Sequence, residues 1–281
     1  MKNINYEEIH NNIDYLHVQR KNPKTQFKID FHLHSGYEIF FLISGDVNYF
    51  VENKIYPLKS GDIIITNNLE IHKPSILSDK LYDRITLHIN PALISSFSSE
   101  QFDLLNCFTN RSNGDKNKIS LNSEQIEDII GLFNKIEFIE TNPFDGSEIL
   151  KLTYFIELLI FINRIYINST CKVDHTNIPS KLIPILEFID QNLESDLKLE
   201  TLEKMFYINR FYLCKLFKNS IGSTIHEYII YKRISLAKLL LSKGYSVTDT
   251  CSKSGFNDYA NFIRMFKRTV GLPPGKYKKT M

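Results

Sequence analysis

The chain has 281 residues, 43% of them hydrophobic, and a formal charge of only +2, which is enough apolar content for two globular cores and too much for a disordered protein. The small net charge hides a division: residues 1–179 carry 17 Lys and Arg against 23 Asp and Glu, whereas residues 180–281 carry 17 against 9. A polyanionic partner is therefore expected to meet the C-terminal part and not the N-terminal one.

The first dozen residues are polar, include Glu7 and Glu8, and lack the basic-then-apolar run of a secretory signal, so a cytoplasmic location is expected. From Phe31 to about Asn90 short β-branched or aromatic runs (38–44, 47–52, 63–66, 84–89) alternate with turns at Ser44-Gly45-Asp46, Glu52-Asn53-Lys54 and Ser60-Gly61-Asp62. That spacing predicts an antiparallel sandwich or small barrel within residues 1–100. A polar loop, 110–118, follows, and then the period changes to helical with Ile126, Ile129, Ile130, Phe133 and Ile136. A second helix over 148–167 is apolar on most of its circumference and needs more than one partner, either the interior of its own domain or a second subunit. Residues 101–168 are accordingly read as a helical dimerisation region, with a homodimer as the expected assembly. The most apolar stretch, Leu152–Ile162, contains Glu157 and is well short of the ~20 residues that cross a bilayer, so no membrane partner is expected.

Residues 169–179, polar and closed by Pro179, read as an interdomain linker. Helical patterns then run through 180–281. Leu182, Ile185, Leu186, Ile189 and Leu193 mark one helix; 199–206 and 210–219 form a short pair around Tyr207-Ile208-Asn209; a longer helix runs from the cap candidates Ser223 and Thr224 to Ser242. Beyond Gly244 the short pair recurs as 247–253 and 258–269, with a turn at Ser254-Gly255-Phe256. The expected class is α+β: an N-terminal antiparallel β-barrel with following helices, then an all-α domain with two helix-turn-helix motifs. Cys107, Cys171, Cys214 and Cys251 are widely spaced without a CxxC pair, the usage of free thiols in a reducing compartment.

One segment of the basic part is written twice, 49 positions apart: Leu213, Lys215, Leu216, Phe217, Lys218, Ile221, Gly222, and then Phe262, Arg264, Met265, Phe266, Lys267, Val270, Gly271. Two like helices on a basic domain suggest a two-point grip on duplex DNA, each second helix entering a major groove. Together with Leu199, Leu202, Tyr228, Arg233-Ile234, Ala237, Leu240-Leu241, Val247, Gly255-Phe256, Asp258 and Gly271-x-Pro273-Pro274-x-x-Tyr277, these residues resemble the AraC/XylS family of transcription regulators over about a hundred positions.

The resemblance implies a sequence-specific regulator, an activator able to contact RNA polymerase. It implies groove-facing Arg210, Phe211, Cys214 and Lys215 on the first recognition helix and Tyr259, Ala260, Asn261 and Arg264 on the second. Asn209 and Asn257, at the helix entrances, and Lys218, Lys267 and Arg268, placed for phosphate, complete the DNA-binding set. Glu203, Tyr207, Asn209 and Cys251 depart from the family pattern, which usually has a small residue, Gly, Ser or Thr, and Ala there; Asn209 can still cap a helix. Leu213, Phe217, Phe262 and Phe266 are expected in the core, and Arg233 as an internal ion-pair or capping group.

In the N-terminal part, His32-x-His34-x3-Glu38-x6-Gly45 and Gly61-x10-His72 resemble the two motifs of cupin barrels, with Asn67 and Leu69 replacing the usual Pro and Gly of the second. The resemblance implies a small-molecule effector site at a barrel mouth, for which His34, Glu38, Tyr49, His72 and His88 suit a carbohydrate or another polar molecule. The alternative it implies is a metal set of His32, His34, Glu38 and His72 supporting oxygenase or isomerase chemistry; a third reading has His32 and His34 pairing with strand neighbours only. Fusion to a DNA-binding domain favours sensing over catalysis, so the expectation is a non-enzyme without a cofactor. The polar arm before Phe27 is a candidate for closing over ligand or docking on the DNA-binding domain.

Overall fold

The computed structural model describes residues 17–21, 30–78, 81–168 and 178–279; most of the arm before Phe27, and residues 169–177 of the expected linker, lie outside the described residues. The strands are β1 (His17–Lys21), β2 (Tyr37–Ser44), β3 (Val47–Val51), β4 (Lys54–Leu58), β5 (Asp62–Thr66), β6 (His72–Ile76), β7 (Asp83–Ile89) and β8 (Lys118–Ser120). They form two antiparallel sheets, one ordered β1-β7-β2-β5-β8 and the other β4-β3-β6.

The continuous apolar runs of β2 and β5 have a simple cause, because both strands are covered on both faces. Phe40, Leu42 and Ile64 point between the sheets, against Tyr49 and Tyr56. Ile39, Phe41, Ile63 and Ile65 point the other way, into a second core. That core is closed by α3 (Ser123–Thr141) and α4 (Ser147–Asn168), which follow the short α1 (Pro91–Ser95) and α2 (Asn106–Thr109). Phe133 of α3 meets Phe41 at a ring separation of 5.6 Å, and Phe155, Leu158, Leu159 and Ile162 of α4 are fully buried. The outer side of the pair leaves Phe138, Phe144, Ile149, Ile160 and Ile167 exposed.

Four strands escaped the sequence pattern, among them β1, which lies in the segment read as a polar arm and pairs with β7. β4 and β6 contain Pro57 and Pro74, tolerated because both strands lie at the edges of their sheet, where a missing N–H breaks no ladder. β8 lies beyond the segment assigned to the barrel, at the end of the polar loop. That loop is solvated on one side only: Asn110, Ser112, Asn113 and Lys116 are exposed, while the Arg111 side chain, Gly114 and Asn117 turn inward. Arg111 makes two bonds to Glu70, 2.5 and 2.6 Å, with both side chains all but inaccessible. The Gly114 N–H and the Asn117 amide donate to the same carboxylate at 2.6 and 3.0 Å, so part of the loop's polarity serves an internal acid.

The C-terminal helices are α5 (Ile183–Gln191), α6 (Leu199–Phe206), α7 (Arg210–Ile221), α8 (Ile225–Ser242), α9 (Val247–Lys253), α10 (Tyr259–Val270) and α11 (Pro274–Lys278). Leu213, Phe217, Tyr228, Ile234, Ala237, Phe262, Phe266 and Tyr277 share one core. Arg233 acts as a cap: Nε donates to the Leu193 carbonyl at 3.0 Å and Nη2 to that of Ser195 at 2.7 Å. A Cβ on Gly255 would stand 2.0 Å from the Leu193 oxygen, so this close approach requires glycine. No helix of the described residues is long and apolar enough to cross a membrane.

Removing one partner of the Arg111–Glu70 pair strands a buried charge. Arg111→Ala is expected to lower unfolding free energy by about 3–5 kcal/mol, read by urea denaturation; a loss below about 1 kcal/mol, typical of surface pairs, would show that water reaches Glu70.

Candidate functional site

The basic domain presents two helix-turn-helix units, α6–α7 and α9–α10. In each, the second helix is held by a stripe at i, i+4 and i+8: Leu213, Phe217 and Ile221 in α7, and Phe262, Phe266 and Val270 in α10, all buried. Burying the same phase of both helices leaves the opposite faces in solvent. Asn209, Phe211, Lys215 and Lys218 of the first unit are exposed, as are Asn257, Tyr259, Ala260, Arg264, Lys267 and Arg268 of the second; Arg210, Cys214 and Asn261 are half-buried, and none of the thirteen is in the core.

Both helix starts are capped, which fixes where the faces begin. Asn209 Oδ1 accepts from the N–H groups of Phe211 and Tyr212 at 3.0 and 3.3 Å, and Asp258 Oδ1 accepts from Asn261 N–H at 2.5 Å. The two arginines differ in company. Arg210 is tied to Glu200 at 2.7 Å, whereas Arg264 donates to the neutral Asn261 side chain at 2.8 Å and forms no ion pair among the described residues. The family departures in the first turn have local accounts: Glu203 accepts from the Arg210 N–H at 3.1 Å, and Tyr207 takes the left-handed conformation, φ 51°, with its side chain in solvent. Cys251 is buried, its thiol 3.6 Å from the Phe256 carbonyl. The helix between the units, α8, has 18 residues, or ~27 Å at 1.5 Å per residue, close to the ~34 Å between successive major-groove faces.

In the barrel, strand register puts Glu38 opposite His88 on β7 and Thr66 on β5. Its buried carboxylate gathers the other residues singled out from the sequence. Tyr49 Oη donates to Oε1 at 2.9 Å; His34 Nε2 and His88 Nε2 stand 2.8 and 3.0 Å from Oε2; His72 Nε2 is 3.8 Å from Oε1. His32 joins them through paired backbone bonds with His72 of 3.1 and 3.2 Å. The expected mouth is mostly filled by these side chains: Glu38, Tyr49 and His72 are buried, and His32, His34 and His88 reach solvent in part. Burial works to raise the Glu38 carboxyl, yet the imidazoles of His34, His88 and His72 hold it well below the usual carboxylate range. Burial brings His32 down to about 4, with His72 adding to the effect, and holds His34 well below the ordinary imidazole value. The donor atoms of His32, His34, Glu38 and His72 lie within 4.8 Å of one another, the set that could hold a metal ion.

A third group of contacts, invisible in the sequence, joins the two regions. The side of α8 turned to the barrel places Lys232, Ser235 and Lys238 on successive turns. Lys232 pairs with Glu52 and, at 3.2 Å, with Asp190 of α5; Ser235 donates to the Leu69 carbonyl. Lys238 Nζ donates to the carbonyls of His34, at 2.7 Å, and Asn68, and burial brings its ammonium down to about 7. Phe31 packs on Tyr228 and Tyr231 at 6.0 and 6.3 Å. A cleft of about 260 Å³ beside this contact is lined by Glu52, Leu69, Asp190 and Lys232, among others.

Comparison with known proteins matches residues 19–137 to the AraC-like ligand binding domain and residues 202–280 to a helix-turn-helix domain. Among curated proteins the chain is 24% identical over 260 residues to an uncharacterized HTH-type transcriptional regulator of Staphylococcus aureus (strain MRSA252), covering 91% of this chain and 33% of that protein. It is 31% identical over 114 residues to the uncharacterized HTH-type transcriptional regulator YtdP of Bacillus subtilis (strain 168), 40% of this chain and 14% of that one. The chain thus spans about a third of the length of the first of these relatives or less. Among solved structures, a lysine-to-alanine variant of apo ToxT from Vibrio cholerae is similar at 17% identity and a TM-score of 0.40, over 95% of this chain and 98% of that one.

A non-glycine residue at a left-handed position carries about 1–2 kcal/mol of strain. Tyr207→Gly, offset in part by the freer unfolded chain, is expected to raise stability by about 0.5–1 kcal/mol in thermal unfolding. A lowered melting temperature would show that the turn is unstrained.

Proposed function

Because the chain belongs to the AraC-type transcription regulators, an AraC-like ligand-binding domain joined to a helix-turn-helix domain, we propose that it binds duplex DNA sequence-specifically through α7 and α10. One observation carries the reading: two helices buried on the same phase, each showing solvent a face of basic, amide and aromatic side chains. Arg264 suits the O6 and N7 acceptors of guanine, Asn261 suits adenine, and the later Lys218, Lys267 and Arg268 suit phosphates. Arg210, paired with Glu200, must exchange that acid for a base edge and contributes less charge than Arg264.

The same proposal places a small effector at the Glu38 group and gives the chain a regulatory role without catalytic turnover. His34 supports the link to DNA, since its ring meets Glu38 while its carbonyl accepts from Lys238 of the helix that spaces the two units. A ligand that shifts His34 changes the seating of α8, and by reciprocity DNA changes the affinity for the ligand. The apolar side chains left open on α3 and α4, Phe138 and Ile149 among them, support pairing with a second copy.

Arg264→Ala is expected to cost about 1–3 kcal/mol on the specific duplex and to relax one base position, while Lys267→Ala weakens specific and random duplex alike. Fluorescence anisotropy on both duplexes reads this directly, and equal losses for Arg264→Ala would refute its role as a base reader. Affinity should also fall steeply with salt, as for any protein making several phosphate contacts.

A further inference from the structure

The sheet β4-β3-β6 has apolar residues on its outer face as well as its inner one, and the pairing register sorts them. Phe50 stands opposite Ile55 on β4 and Lys73 on β6, whereas Tyr49, Val51, Tyr56 and His72 take the alternate positions and turn to the barrel interior. On the outer side Phe50 and Ile55, with Phe31, Leu33 and Ile71, belong to one buried cluster with Leu213, Phe217 and Ile221 of α7. Barrel and first recognition helix therefore share a core.

Lys73 enters that core as a charge. It is 2% exposed, and its Nζ stands 5.0 and 5.3 Å from the ring centroids of Phe31 and Phe50, whose faces offset part of the cost of burying an ammonium. Beyond the rings it reaches the end of α7. Gly222 closes that helix in the left-handed conformation, φ 73°, and a Cβ there would stand 2.8 Å from Lys73 Nζ. The glycine thus serves twice, permitting the turn and leaving the socket that the ammonium fills. The last turn of a helix has carbonyls without intrahelical partners and the negative end of the macrodipole, so a cation is favoured at this spot.

We infer that Lys73 is a positioning residue for DNA recognition: it seats the C-terminal end of α7 on the barrel, and β6 carries the state of the Glu38 group to that helix. The inference rests on the regulator reading above and adds a route to the first unit beside the His34 contact with α8. His72 and Lys73 are consecutive, so one side chain faces Glu38 and the next faces α7 across a single strand. β6 lies at the edge of its sheet, paired with β3 on one side and with His32 by one bridge, and a ligand that displaces His72 moves Lys73 with it.

The test begins with the wild-type full chain, used to select a preferred duplex from a random library. Fluorescence anisotropy then compares that duplex, versions scrambled in either half, and a random duplex; Arg264→Ala assigns one half to α10 and leaves the other to α7. Lys73→Met keeps the aliphatic stem and removes the charge. Expected are binding about tenfold weaker on the selected duplex, unchanged affinity for the random one, and lost base preference in the α7 half alone. Gly222→Ala, which puts a methyl group in the socket, should give the same pattern, and the double variant less than the product of the two losses. A merely structural role lowers binding to every duplex alike, so equal losses overturn the inference, as does no loss at all. Should the variants fail to fold, acetylation of the wild type followed by mass spectrometry decides. Lys73 is expected to stay protected with the selected duplex bound, and labelling as fast as at the exposed Lys59 overturns its role. A wild-type chain that selects no duplex sinks the regulator reading and this inference together, whereas selective binding that ignores Lys73 sinks the inference alone.

Discussion

Helix α8 has two sets of neighbours to satisfy, and the rest of the molecule is arranged around that constraint. Tyr228, Ile234, Ala237 and Leu241 anchor both helix-turn-helix units to it, so its length fixes the distance between α7 and α10. Its other side cannot be equally apolar, because what it meets on the barrel is a row of backbone carbonyls at His34, Asn68 and Leu69 together with the Glu52 carboxylate. Lys232, Ser235 and Lys238 supply the donors those oxygens lack, three residues apart and therefore on one side of the helix.

An interface made this way has a particular energetic character. A buried ion pair such as Lys232–Glu52 contributes little net stability, since desolvating the two charges offsets most of their attraction. The apolar share joins Phe31, Leu33, Phe50, Ile55 and Ile71 of the barrel to the core of the basic domain, with Phe31 against Tyr228 and Tyr231. Breaking one partner is costly, so the polar contacts dictate a single register.

How far the sequence revealed this depended on whether a feature was set by local pattern or by a distant partner. The helices of the basic domain were legible, with α6 and α9 read to the residue, because amphipathic stripes, caps and the glycines after α7 and α10 are all local signals. β1, β4, β6 and β8 were not, since all four are edge strands whose pairing is set by their neighbours, and polar residues or prolines disguise them. The loop over 110–118 looked solvated because its acid, Glu70, is some forty residues away in the chain. The same logic divides the sites. The resemblance to the cupin motifs grouped the histidines with Glu38, but the filling of the mouth by Tyr49 and His72 follows from how the two sheets close. The anchoring of His32 and His72 by the carbonyls of Asp30 and Glu70 is a matter of ring tautomers, which no spacing reports.

His34 is where these lines meet. Its side chain belongs to the Glu38 group and its main chain to the α8 contact, so the two regions are separated by the length of one residue and not by a chain of intermediaries. Coupling energies between sites in proteins are typically about 1–3 kcal/mol, which corresponds to roughly 5–150-fold in affinity. A displacement of one carbonyl against a buried lysine is an event of that size, since a hydrogen bond to a charged group is worth about 1.5–3 kcal/mol. In the proposed reading, neither a flexible segment nor a transmitted strain is needed to connect barrel and DNA. A ligand must only bind more tightly to one position of His34 than to the other, and the two recognition helices, held by the far side of the same rod, follow the change in its seating.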